Sequence, residues 1–286
     1  MPVKLIAIDI DGTLLDSRYQ LSEANRKAVV EATARGIEVA LVTGRRFDFA
    51  RPIALQFECP LTMIVNNGAL VKSKDGATHL RHLLPRGVAR RVLDATPEIR
   101  LGAAVVFDRP RENQVIFERI DWDDPRQKSY YDRNCEFIAQ VSPITDCLTE
   151  DPIQVMFTGK CEPMRRAESA VRSLPFADLY ALAVTVYDDR DFAMIDVIHP
   201  ACSKGATLAE WVRLRGFARE EVMAIGDNHN DLEMLAFAGL PVVMANGVEE
   251  LKNLGWRQTL SNDESGVAAA IENYASEAPQ IKCRVK

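Results

Sequence analysis

Val3-Lys4-Leu5-Ile6-Ala7-Ile8-Asp9-Ile10-Asp11-Gly12-Thr13 decides the fold. An almost unbroken apolar run that stops on acids reads as a parallel strand buried on both faces. Two carboxylates closing such a stretch are costly without a partner to neutralise them. The sequence around this strand must therefore supply one.

Outward from it, the next seventy residues alternate helix and strand. Ser22 is placed to cap a helix that runs to Arg35 and stops at Gly36. Ile37–Val42 reads as a second strand ending on Thr43-Gly44-Arg45. Helical sequence continues to about Phe57, and Leu61–Val65 is a third strand ending on Asn66-Asn67-Gly68. The last third resumes this rhythm: strand Phe192–Ile198, helix Lys204–Arg215, strand Glu221–Ile225 running into Gly226-Asp227, helix Asp231–Phe237, strand Val242–Ala245 and a closing helix Gly266–Tyr274. Strands joined by helices of this length predict an α/β fold, a doubly wound parallel Rossmann-like sheet with helices on both faces.

The middle differs. Ala103–Phe107, Gln114–Ile120, Ile153–Phe157 and Ala183–Tyr187 read as hairpin strands, with helices near Gly87–Ala95 and Glu162–Leu174. This predicts an antiparallel α+β domain at 83–187 inserted into a core built from 1–82 and 188–286. The stretch Asp121–Asp151 resists assignment, and Ala278–Lys286 has no periodic pattern and is expected to be loosely ordered.

Composition narrows the function. A formal net charge of −6 argues against nucleic acid as a partner. No run approaches the roughly 18 apolar residues of a membrane helix, and the N-terminal stretch is interrupted by acids as no signal peptide is. Six scattered cysteines without a CxxC pair suit reduced thiols in the cytoplasm.

Ligands of open α/β sheets bind beyond the carboxyl ends of the strands. The strands deliver there Asp9 and Asp11, then Thr43-Gly44, then Asn66-Asn67-Gly68, then Asp227 with Asn230 and Asp231. Asp9, Asp11 and Asp227 would repel one another without a hard divalent cation, and magnesium is the usual ion where phosphates complete the shell. Thr43, Gly44 and Lys204 are the donors that hold phosphate oxygens. Metal-holding carboxylates beside phosphate-holding donors indicate phosphoryl transfer. Walker A and GxGxxG loops are both missing.

Asp9-x-Asp11-Gly-Thr, Thr43-Gly-Arg, Lys204-Gly205 and Gly226-Asp227-x-x-Asn230-Asp231 resemble the four ordered motifs of the haloacid dehalogenase superfamily. The long insertion after the third strand, Val243-Met244-Ala245-Asn246-Gly247 and Ser261–Val267 resemble its Cof-type branch with a type IIB cap. The resemblance implies a magnesium-dependent phosphatase in which Asp9 attacks phosphorus and Asp11 serves as acid and then base. Magnesium would be held by Asp9, the Asp11 backbone carbonyl and Asp227. Thr43, the Gly44 and Ile10 amides, Lys204 and Asn230 would grip phosphoryl oxygens. Gly12 would provide the sharp turn, and Asp231 would orient Lys204 or a metal-bound water. No catalytic role falls on the segment around Asn246, and His229 is expected to be a spacer. The implied substrate is a small phosphorylated metabolite such as a sugar phosphate, chosen mainly by a cap hinged near 82 and 188. Phosphomutase-type transfer and a non-catalytic binding module are the alternatives.

Overall fold

The computed structural model describes residues 2–100, 102–123, 128–188 and 191–275. The expectation for Ala278–Lys286, and Cys283 with it, lies outside them. The chain first lays down strands β1 (Leu5–Asp9), β2 (Glu38–Val42), β3 (Thr62–Val65), β4 (Leu70–Ser73) and β5 (Thr78–Arg81). It then builds β6 (Ala103–Val106), β7 (Val115–Phe117), β8 (Ile138–Gln140), β9 (Gln154–Gly159), β10 (Ala181–Tyr187) and β11 (Phe192–Ile198). It closes with β12 (Val222–Gly226), β13 (Leu240–Val243) and β14 (Arg257–Gln258). Two compact units result, one from residues 1–81 and 203–286, the other from 82–202.

The first unit holds an eight-stranded sheet in the order β14-β13-β12-β1-β2-β3-β4-β5. The six strands from β14 to β3 are parallel, and β4 and β5 form an antiparallel hairpin at one edge. Every residue of β1 is buried, so its apolar run has a cover on both faces, as the sequence implied. Helix Glu23–Ala34 starts where Ser22 Oγ accepts from the Asn25 amide at 3.2 Å, which satisfies one of the helix's orphan donors. None of the described helices is long and apolar enough to cross a membrane, and no disulfide joins the five described cysteines.

The second unit is an α+β domain with a six-stranded sheet in the order β10-β11-β9-β6-β7-β8, antiparallel except for β7 with β8. Its core packs Val105, Phe107, Val155, Phe157, Ile195 and Val197 with Val88, Val92 and Val171 of helices Arg86–Ala95 and Cys161–Arg172. Asp121–Asp151, which defied assignment, contains helix Lys128–Asn134, strand β8 and a 3-10 turn at Ile144–Cys147.

Phe192–Ile198 was expected to open the return to the core at 188. It pairs instead with β9 and β10 in the inserted sheet, and the return comes at Ser203. An apolar strand does not announce which sheet it will join. Asp196, in its middle, marks the difference: only one face of β11 meets the aliphatic core, so a polar side chain can occupy the other.

Asp196 is 6% exposed and accepts a 2.7 Å hydrogen bond from Gln154 Nε2. Burial pushes its carboxyl up to about 7. A carboxyl raised above its unfolded value contributes stability that is complete below the unfolded pKa and is lost as pH rises through the folded one. Urea midpoints are therefore expected to fall between about pH 4 and pH 7 in the parent. Asp196→Asn should remove the share of that fall due to Asp196 and leave the variant more stable at pH 8 by a few kcal/mol, about 1.4 kcal/mol for each unit of the shift. Parallel pH profiles for the two proteins would show that Asp196 ionises freely.

Candidate active site

Everything the motifs place at the strand ends lies in the first unit. β1 is flanked by β12 on one side and β2 on the other, with Ile8 in register with Ile225 and Asp9 with Val42. This pairing brings Asp9 and Asp227 to one sheet edge although the chain between them includes the whole second unit.

After Asp9 the backbone reverses at once. The Leu14 and Leu15 amides both donate to the Ile10 carbonyl, at 3.1 and 3.0 Å. Gly12 sits at φ +81°, and a Cβ there would lie 2.4 Å from Asp227 Oδ2. Only glycine meets both demands. Beside it the fully buried Thr13 donates to Asp227 Oδ1 at 2.7 Å.

Lys204 is the centre of the site. It opens helix Lys204–Leu214, whose N-cap Ser203 accepts from the Ala206 amide. A lysine at a helix start reads as exposed from sequence, yet this one is 3% exposed. Its Nζ donates to Asp9 Oδ1 at 2.6 Å and to Asp231 Oδ1 at 2.7 Å. The close approach of its helix to the next is allowed by Gly205, where a Cβ would stand 2.5 Å from the Glu233 backbone. Asp231, completely buried, spends its other oxygen on the amides of Asp227 and Asn228, at 3.0 and 3.1 Å. One carboxylate thus orders both the lysine and the loop that carries Asp227.

The remaining predicted residues are distributed as follows. Thr43 is buried, and its Oγ1 accepts from the Arg45 amide at 3.1 Å. Gly44 is exposed, with Asn67 Oδ1 2.8 Å from where a Cβ would be. Ile10 is buried; Asn230 and His229 are exposed on the turn that leads to Asp231. The Asp11 carboxylate stands apart from the other acids, because Arg45 holds it by two contacts, Nε to Oδ2 at 2.8 Å and Nη2 to Oδ1 at 2.5 Å. The motif containing Arg45 was visible in the sequence, but no role was attached to this residue. Its reach across to Asp11 depends on the adjacency of β1 and β2.

Among the described residues, Asp9, Asp227 and Asp231 form the group whose carboxylate oxygens come within 4.8 Å of one another. Burial, then the charge of Asp231, drives the Asp9 carboxyl well above its ordinary range; Lys204 opposes the shift and Asp227 adds to it. Burial carries Asp227 to about 6 against the pull of the Thr13 hydrogen bond, with Asp231 adding to the rise. Burial alone would lower Lys204, but Asp9 and Asp231 outweigh it and hold the ammonium above its usual range. One ammonium among three buried carboxylates leaves negative charge uncompensated. An all-oxygen donor set with that surplus fits a hard divalent cation.

The haloacid dehalogenase-like hydrolase profile matches residues 6–271. The chain belongs to the haloacid dehalogenase-like hydrolase family. A Bacillus subtilis relative named 5-amino-6-(5-phospho-D-ribitylamino)uracil phosphatase YitU is 29% identical, over 95% of this chain and 97% of its own. The chloroplastic Arabidopsis thaliana protein named endoribonuclease YBEY is 32% identical over 94% of this chain, which spans only 46% of that protein's length. A solved haloacid dehalogenase-like hydrolase from Bacteroides thetaiotaomicron is 26% identical and superposes with a TM-score of 0.79, covering 95% of this chain and 99% of that one. The chain is an enzyme of the haloacid dehalogenase-type phosphatase class, Cof-type branch.

Proposed function

We propose that the chain hydrolyses small phosphate monoesters, sugar phosphates or related metabolites, with magnesium and through an aspartyl-phosphate on Asp9. The observation that supports this most directly is the buried pairing of Lys204 Nζ with Asp9 and Asp231, next to Asp227. It makes Asp9 an anchored carboxylate in a site whose charge asks for a cation.

Asp9 and Asp227 would hold magnesium together with the Asp11 backbone carbonyl. When bound, the ion offsets the negative charge that Asp9 and the phosphoryl group bring together. Lys204 fixes the plane of the Asp9 carboxylate through Oδ1. An Asp9 oxygen attacks phosphorus as the ester oxygen–phosphorus bond breaks, and the leaving alkoxide takes a proton from the Asp11 carboxyl, which must first part from Arg45 and take up that proton. Asp11 then accepts a proton from water; the water oxygen bonds to phosphorus, and the Asp9–phosphorus bond breaks to release phosphate. Splitting hydrolysis in this way replaces one difficult step by two easier ones. Thr43, the Ile10 and Gly44 amides, Lys204 and Asn230 would bind the phosphoryl oxygens, and the turn at Gly12 supports this cradle.

The test is phosphate release over a panel of phosphorylated metabolites, with and without magnesium. Because YitU is named for a phosphoribityl compound, phosphorylated ribitylaminouracil belongs in the panel beside hexose and glycerol phosphates. Chelation should abolish release and added magnesium restore it. Isomerised product in place of free phosphate would identify a mutase. Binding of panel members with no turnover of any would overturn the proposed substrate class.

A further inference from the structure

The resemblance gives Asn246 no catalytic role, yet the segment Met244–Val248 that carries it joins the two catalytic loops. Its backbone is fixed to the Asp227 loop: the Met244 amide donates to Gly226 O at 3.1 Å and the Val248 amide to Asp227 O at 2.9 Å. Its one amide side chain turns to the other loop. Asn246 Nδ2 donates to the Gly12 carbonyl at 2.8 Å, and Asn246 Oδ1 accepts from the Asn262 amide at 2.9 Å. Asn262 continues the strap by donating through Nδ2 to Leu15 O at 3.0 Å, and Asp263 accepts from the Ser17 amide at 2.8 Å.

Asn246 is exposed, so its side chain fills no space in the core and little packing depends on it. Both ends of its amide are nonetheless engaged, one on the residue after Asp11. Gly12 in turn lies so close to Asp227 that a Cβ has no room.

We propose that Asn246 is a positioning residue. It locks the Gly12–Thr13 peptide, one residue beyond Asp11, and so holds the turn that carries Asp11 where its carboxyl, once released by Arg45, meets the leaving group. This rests on the reading of Asp11 as the general acid.

The experiment compares Asn246→Ala and Asp11→Asn with the parent full-length chain, all with magnesium, on two substrates. In p-nitrophenyl phosphate the leaving group departs without needing a proton; in glycerol phosphate it does not. Since kcat/KM covers only the steps up to transfer onto Asp9, it isolates the protonation of the leaving group. For Asn246→Ala, kcat/KM on glycerol phosphate is expected to fall about 10- to 100-fold, a part of the 10²- to 10⁴-fold that general acid catalysis supplies. The fall on p-nitrophenyl phosphate should be several-fold smaller, with the melting temperature near that of the parent. Amide hydrogen exchange in a peptide covering residues 10–17 should quicken in the same variant.

Unchanged exchange there overturns the proposal, and so does an equal loss on both substrates when Asp11→Asn discriminates between them. Should Asp11→Asn itself fail to discriminate, the assignment of Asp11 falls, and with it the placement Asn246 was proposed to hold; faster exchange would then show only that the strap is real.

Discussion

Asp9→Asn is expected to lose phosphate release by roughly 10⁴-fold or more, the scale seen when an essential nucleophile is removed. The substitution is nearly isosteric, and it replaces a buried carboxyl, already driven toward its neutral form, by a neutral amide. The fold should therefore survive, and without metal the variant should melt at or above the parent temperature. The melt also reads the ion. A ligand that binds only the native state raises stability with its concentration, so magnesium should raise the parent's melting temperature and raise the variant's much less. Release within tenfold of the parent would remove Asp9 from the chemistry.

Lys204→Met is expected to cost both activity and stability. The lysine pairs with two buried carboxylates, and breaking a buried pair from one side costs on the order of 3–5 kcal/mol because the remaining charge is stranded. The raised proton affinity of Asp9 moderates this loss, since the carboxyl can take up a proton instead. Asp231 also keeps its bonds to the Asp227 and Asn228 amides. Adding Asp231→Asn to Lys204→Met should return part of the stability without restoring turnover. Denaturant midpoints together with phosphate release separate the two effects. A single variant as stable as the parent would mean that the ion pair contributes nothing net to folding.

Much of this site was legible because buried acids contradict their surroundings. Asp9 closes an apolar strand, and Asp227 follows a second one; both strands sit side by side in the sheet. What stayed hidden depends on distance through space. Lys204 was legible as a phosphate-holding donor oriented by Asp231, but its 2.6 Å bond to Asp9, 195 positions away, was not. Arg45 was one letter of a motif until its guanidinium met Asp11. The strand Phe192–Ile198 was placed in the wrong unit, since its apolar residues suit either sheet and only Asp196 hinted at the antiparallel one. The hairpin of β4 and β5 was passed over although Asp75-Gly76 between them is a turn signal. There the short strands lie at an edge, and the polar alternation of β5 (Thr78 and Leu80 half-buried, His79 and Arg81 exposed) is weak beside the long buried runs.

The position of β1 between β2 and β12 has a consequence for biogenesis. On the ribosome, β2 emerges soon after β1, but β12 follows only after the entire second unit has been made. Until then the central strand keeps one flank of backbone donors and acceptors open, a template for mispairing with other chains. Nascent chains halted before Val222 are thus expected to aggregate, while the second unit, whose six strands are contiguous in sequence, has all its partners already in hand.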